Sequence, residues 1–396
     1  MKEVAMLKYI SSRFSFFLTL FVGFCFFMLM TANANAGQTG IMGLQSMTGS
    51  DGFVRSVSAD GSVITGYTLS NGRRTPFKWS ESNGVITLGW LQQFGNGNAE
   101  GNSVSDNGIH IVGKETYPAV PFDPPTSVGF RWSPGNNMMS LSSSGPGFSR
   151  SANAVADTGR AVGYVPSSLF SESSQAAIWN GNQVTLLGVM VPQDTFAWTE
   201  ANAITPDGNV MAGSGTAFTN GSYGPRAFRW TQATGMIPLG LAVGQTSNRG
   251  TDISADGNVI VGNATRSGAR TIFRWTMETG VVDLGRLPGT SFCDGIRTSG
   301  DGSIIVGNCD SVPFIWTQYL GLQPLNSALV NHYEVDLTGW YLGQIADVSS
   351  DGQFLVGTGA YNNSLDGWRI QIPEPVSISL LLIGAMMIPH SRKLRR

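Results

Sequence analysis

Asp252-Ile253-Ser254-Ala255-Asp256-Gly257-Asn258-Val259-Ile260-Val261-Gly262 is followed by Phe273-Arg274-Trp275 and then by Gly280-Val281-Val282-Asp283-Leu284-Gly285. The stretch reads as four strands. Its Asp-Gly pair supplies the positive φ that a tight hairpin needs. Val259-Ile260-Val261 is apolar on both faces, as a strand enclosed between layers must be. Phe273-Arg274-Trp275 alternates, so Phe and Trp share one face and Arg takes the other. The turn glycine returns at Gly61, Gly108, Gly159, Gly208, Gly257, Gly302 and Gly352, at intervals of 45 to 51 residues. A second glycine follows each time, at Gly66, Gly113, Gly163, Gly213, Gly262, Gly307 and Gly357. A tryptophan closes the third strand at Trp79, Trp132, Trp179, Trp230, Trp275, Trp316 and Trp368. Seven units of four strands, each of about 48 residues, predict an all-β chain folded as a seven-bladed β-propeller.

Closure predicts an irregularity. The seventh unit ends at Trp368-Arg369-Ile370-Gln371-Ile372 without a fourth strand, whereas Gly40-Ile41-Met42-Gly43-Leu44-Gln45 stands unpaired ahead of the first unit. That segment resembles Gly235-Met236-Ile237-Pro238-Leu239-Gly240, a fourth strand from the middle of the chain. The amino-terminal strand is therefore expected to complete the last blade and pin the ring shut. An open β-solenoid is the alternative, although its coils are usually shorter.

Composition agrees. Only 13% of the 396 residues are charged and 51 are glycine. High glycine with low charge excludes a coiled coil, a long helical bundle and a charged disordered polymer. The hydrophobic share of 41% is ample for a large core. Beyond the two ends the segment 37–372 is net acidic, which argues against nucleic acid as a partner.

The ends read as targeting. Lys2, Lys8 and Arg13 precede an apolar run from Phe14 to Met30, and small residues follow up to Ala36 and Gly37. This is the pattern of a secretory signal peptide over residues 1–36, cut between Ala36 and Gly37, with an uncleaved anchor as the alternative. At the other end, over 373–396, Pro373-Glu374-Pro375 precedes the apolar stretch Val376 to Ile388 and the basic cluster Arg392, Lys393, Arg395 and Arg396. Motif, span and basic tail in that order resemble the PEP-CTERM sorting signal. The resemblance implies a Gram-negative host, signal peptidase and an exosortase-like enzyme as processing partners, and arginines left in the cytoplasm as anchors. It further implies transient anchoring in the inner membrane, then the cell surface or extracellular matrix, with a link to exopolysaccharide and biofilm. The apolar stretch is short for a ~30 Å membrane core.

The repeat, with its Gly-rich hairpin, aromatic-Arg-Trp strand and Leu-Gly ending, resembles the extracellular HAF repeat family over nearly all of 37–372. The family's His-Ala-Phe position here reads Thr75-Pro76-Phe77, Val128-Gly129-Phe130, Arg226-Ala227-Phe228 and Thr271-Ile272-Phe273, without the histidine. The resemblance implies architecture and location rather than a reaction.

Chemistry is sparse in the repeats. Cys293 and Cys309 flank the turn Ser299-Gly300-Asp301-Gly302 symmetrically, so a hairpin would set them opposite one another for a disulfide, the alternative being two buried thiols. Unit six also slips by two residues in its first strand. His110 and His332 are the histidines of the segment, more than 200 residues apart, so a His-rich metal site is not expected, and no Gly-x-Ser-x-Gly elbow is present. Ser58-Ala59-Asp60-Gly61 and its counterparts lack the spacing of a sialidase Asp-box and the ligand ladder of a calcium loop, so turn chemistry explains them. Lys78, Arg131, Arg229 and Arg274 recur too regularly for a ligand site.

Positions that differ between units are more informative. Two places before the apolar Val or Ile of the first strand stand Arg55, Asn102, Asn153, Asn202 and Thr251, as a possible ligand channel or as partners for inner-strand backbone. The segment Tyr117 to Pro125 carries aromatics suited to stacking on sugar or to covering a blade edge. These features lead to the expectation of a non-enzymatic, exported surface or matrix protein that binds extracellular polysaccharide or a surface protein, with no catalytic residue, metal or cofactor. The alternative is an extracellular propeller enzyme, a polysaccharide lyase, hydrolase or lactonase.

Overall fold

The computed structural model describes residues 40–44, 52–91, 97–117, 126–141, 151–166, 173–192, 194, 197–219 and 222–373. The signal-peptide segment with Ala36 and Gly37, residues 118–125, and everything from Glu374 through the basic cluster lie outside the described residues. Pro373 is the last residue described. Among the described residues no helix is long and apolar enough to cross a membrane.

The described residues from Gly40 to Pro373 form one compact unit of seven four-stranded antiparallel sheets. Six are simple meanders over 53–87, 98–140, 151–188, 199–238, 245–285 and 293–324. The seventh is built from Trp340–Val348, Phe354–Tyr361 and Ser364–Gln371, and its outer strand is the amino-terminal Gly40–Gly43. Gly40 pairs with Gln371, Ile41 with Ile370, Met42 with Arg369 and Gly43 with Trp368. The closing strand expected from the sequence is therefore present. A Cβ on Gly43 would sit 2.5 Å from Asp366 Oδ2, so glycine lets the strand approach its neighbour.

Closure extends to the packing of blade seven on blade one. Leu44 and Val356 share a core cluster with Val54, Ile64, Phe77 and Trp79. Arg369 Nη1 donates to Gly61 O at 3.0 Å, and Asp351 N to Ala59 O at 3.0 Å. Between blades six and seven a short helix, Leu325–Asn331, fills the wedge with buried Leu325, Ala328 and Leu329. Each core thus lies between two neighbouring sheets. An open row would expose two of these faces, so the ring is the arrangement that buries them all.

The two recurrent glycines have different causes. Gly257 sits at φ +71° in the hairpin turn, a conformation that side-chain-bearing residues rarely adopt. Gly262 is held by space, since a Cβ there would stand 1.9 Å from Arg249 O on the inner strand. At that level every inner strand carries a β-bulge, and the extra residue pushes a backbone carbonyl toward the second strand. In blade six Gly295 and Ile296 stand opposite Gly307 alone, so this strand carries one extra residue, as the others do, rather than the slip of two residues expected from its sequence. Cys293 and Cys309 are register partners on this hairpin and are joined by a disulfide.

Candidate functional site: the central channel

The first strand of each blade faces a central cavity of about 100 Å³ to which all seven blades contribute. Two layers of side chains line it. The first is the bulge layer, where Asn102, Asn153, Asn202 and Thr251 stand as expected. Each donates to a carbonyl of the next blade: Asn102 Nδ2 to Ala152 O at 2.9 Å, Asn153 Nδ2 to Ala201 O at 3.0 Å, Asn202 Nδ2 to Gly250 O at 2.9 Å and Thr251 Oγ1 to Ile296 O at 2.8 Å. These residues line the channel and also satisfy the neighbouring inner strand. Arg55 occupies the same position in blade one but turns away, toward Tyr67 and Glu100.

The second layer lies one residue further along and was missed by sequence reasoning. Ser56, Ser103, Ala154, Ala203, Asp252, Arg297 and Asp347 pair in register with Thr65, Val112, Val162, Ala212, Val261, Val306 and Val356, and so occupy equivalent positions. Four members are small or apolar-sized. The three that carry charge come from consecutive blades, in the order acid, base, acid. The sequence holds no distinctive signal for it, because another first-strand position also turns charged in three adjoining units, at Glu200, Arg249 and Asp294. The bulge hid it by shifting which residue faces inward.

Local backbone fixes the two carboxylates. Asp252 Oδ2 accepts from Thr298 N at 2.9 Å, across to blade six. Asp347 Oδ2 accepts from Val57 N at 3.1 Å, across to blade one, and Oδ1 from Val348 N at 2.9 Å. Such donors favour the ionised form, yet burial outweighs them and pushes Asp347 up to about 7, helped by the negative charge of Asp252 and opposed by Arg297. Burial also raises Asp252, again against Arg297. Arg297 Nη1 donates to Ile296 O at 3.1 Å, and its charge acts on both acids. At the turn end of the cavity Asp106 is pushed up to about 6 by burial, against a hydrogen bond from Ser350 and with Asp157 and Asp252 adding to the rise. A carboxyl held near neutrality beside a fixed cation suits proton transfer.

The remaining sequence candidates have structural duties. In the turns, Ser254 Oγ donates to Asp256 Oδ1 at 2.6 Å and accepts from Val259 N at 2.9 Å, while Asn258 N donates to Asp256 Oδ1 at 2.9 Å. Lys78, Arg131, Arg229 and Arg274 each reach the turn-glycine carbonyl of the following blade, at Gly108, Gly159, Gly257 and Gly302. His110 Nδ1 lies 2.8 Å from Ser133 Oγ at the junction of blades two and three, and burial lowers its pKa. His332 caps the short helix through its own N–H to Ala328 O. Among the described residues no group of three or more His, Cys, Asp or Glu side chains is placed to hold a metal ion.

No protein-family model and no curated protein matches the chain. Solved structures do. The oligogalacturonate lyase of Vibrio parahaemolyticus superposes with a TM-score of 0.52 at 10% identity, over 86% of this chain and 95% of that one. An oligogalacturonate lyase in complex with manganese superposes with a TM-score of 0.50 at 14% identity, over 84% and 93%. At such identities the likeness establishes the fold. The expectation of a non-enzymatic binding or structural protein is corrected in favour of its alternative, a propeller enzyme: both of these propellers are enzymes, and beside the expected Asn102, Asn153, Asn202 and Thr251 the channel holds Asp252, Arg297 and Asp347, with both carboxyl pKa values raised. The chain is a seven-bladed propeller similar in fold to oligogalacturonate lyases.

Proposed function

We propose that this protein is an exported propeller enzyme that cleaves a glycan by proton transfer, of lyase type, with Asp252, Arg297 and Asp347 as its reacting groups. The observation that carries the reading is the acid-base-acid order on one channel ring whose other four members are Ser56, Ser103, Ala154 and Ala203. In a β-elimination, a carboxylate takes the proton α to a sugar carboxylate, a carbon–carbon double bond forms, and the bond to the leaving oxygen breaks as that oxygen receives a proton. Asp252, adjacent to the cation, serves as the base. Asp347, half protonated near pH 7, serves as the acid. Arg297 offsets the charge that develops on the sugar carboxylate. The fold likeness to lyases agrees with this chemistry, as analogy. A cavity of about 100 Å³ has room for roughly three water molecules, so a polymer presents one sugar edge to the ring and not its whole length.

The test is incubation of the purified exported protein with oligogalacturonate and other uronate-containing glycans, following the ultraviolet absorbance of the new double bond. Cleavage that falls at least about a hundredfold in Asp347→Asn supports the assignment. Absence of cleavage across the panel, or full activity in both Asp347→Asn and Arg297→Met, overturns it. Export through the signal peptide and sorting through Pro373-Glu374-Pro375 complete the proposal. Mass spectrometry of protein from its native host tests them, since an intact Arg392 to Arg396 tail on exported material contradicts the sorting step.

A further inference from the structure

The first two blades carry a second cluster of charge, at the strand ends remote from the Asp-Gly turns, that the channel ring does not use. Arg55 leaves the innermost strand at its bulge, and Arg74 comes from the strand Arg73–Ser80. Their guanidinium carbons lie 5.7 and 5.0 Å from the centre of the same Tyr67 ring. Both are directed at one carboxylate: Arg55 Nη2 is 3.6 Å from Glu100 Oε2, and Arg74 Nη1 donates to Glu100 Oε1. The register partner of Glu100 is Lys114, a third cation on the same face.

Exposure separates the members. The Glu100 side chain is 10% exposed, whereas those of Arg55 and Arg74 are 47% and 49% exposed. A buried acid between two exposed guanidiniums orients them from behind, and Tyr67 fixes their planes from the side. One carboxylate cannot occupy the donors of two five-donor groups. Unused N–H edges and uncompensated positive charge therefore face solvent, close together and already ordered. That arrangement matches the fork geometry by which arginine holds a carboxylate through two parallel hydrogen bonds.

We propose that Arg55 and Arg74, oriented by Tyr67 and Glu100, form a subsite for the carboxylate of a uronic-acid unit, so that the glycan cleaved at the channel is an anionic one. The proposal rests on the lyase reading for its choice of sugar. Its test is separable from that reading. Binding is measured by calorimetry on the full-length protein carrying Asp347→Asn, with oligogalacturonate, a neutral glucan oligomer of equal length, and oligoglutamate as probes.

The expected result is binding of oligogalacturonate that weakens with salt, at least about tenfold weaker binding of the other two, and about a tenfold loss in Arg55→Gln. Arg74→Gln gives a second variant, and Arg55→Lys is expected to restore the affinity only in part. Equal binding of the neutral oligomer, oligoglutamate as tight as oligogalacturonate, or unchanged affinity in both glutamine variants overturns the subsite. Binding that depends on Arg55 in a protein that cleaves nothing removes the lyase reading and keeps the subsite. Cleavage indifferent to Arg55 and Arg74 does the reverse.

Discussion

Asp256 and Asp347 belong to the same hairpin-rich scaffold, yet their surroundings give them opposite chemistry. Asp256 lies in a turn that recurs in nearly every blade, at the outer end of the channel, and hydrogen bonds from Ser254 and Asn258 hold its pKa below the ordinary value. Asp347 stands on the channel ring of one blade, where loss of water drives it to about 7 although two backbone N–H groups point at it. Hydrogen-bond count is similar for the two. Access to water differs, and at the ring it decides the sign of the shift. A repeated aspartate is thus a turn device that stays ionised, whereas an unrepeated one in the channel is poised to exchange a proton.

Substitution to asparagine tests this contrast most directly. Asp347→Asn is expected to lower glycan cleavage by at least about a hundredfold, and Asp256→Asn to leave it within about twofold. Steady-state rates of the two variants decide it; equal losses would erase the distinction between ring and turn. The repeated scaffold has its own test in Gly262→Ala. The added methyl meets Arg249 O at 1.9 Å, and destabilisation of about 1–3 kcal/mol is expected from chemical denaturation. A neutral outcome would mean that the bulge yields more readily than its geometry implies.

The pH dependence of stability follows from the same opposition. Asp347 and Asp106, at about 7 and about 6 in the folded chain, ionise near 3.9 when unfolded. Between those values the unfolded chain binds fewer protons, so these two groups make stability fall as pH rises from about 4 to about 7, with no further effect above. Asp207 and Asp256, lowered by Thr205 and Ser254, act in the other direction and lose their contribution below about pH 4. Melting temperatures across this range are expected to decline toward neutrality in the native protein, and to decline less in Asp347→Asn combined with Asp106→Asn. A native profile that rises from pH 4 to 7 would contradict the burial of the ring. The smallest effect is expected for Ser254→Ala, about 1 kcal/mol, from loss of one turn hydrogen-bond pair at one of six equivalent sites.

Much of the fold was legible because each blade repeats the same local requirements. Turn glycines at positive φ, a strand apolar on both faces and a closing tryptophan can be recognised one unit at a time. Even the closing strand was legible, since Gly40-Ile41-Met42-Gly43 looks like a fourth strand without a third beside it. The bulge layer of Asn102, Asn153 and Asn202 was found by its place, two residues before the apolar Val or Ile of each first strand. The charged ring was not, because an extra residue in each inner strand inverts the inward and outward alternation on which the reading of a strand depends. Asp252 and Asp347 each stand directly before one apolar residue, Ile253 and Val348, and nothing local marks them.

The sequence alone determined the number of blades, their strand order and the place of closure, since these depend on contacts within about 48 residues and on a recurring pattern. Only the tertiary structure decided which side chains share the channel. Asp252, Arg297 and Asp347 are separated by whole blades along the chain and meet only once the ring is closed. Their altered acidity is likewise a property of the ring, because it comes from water excluded by all seven inner strands together.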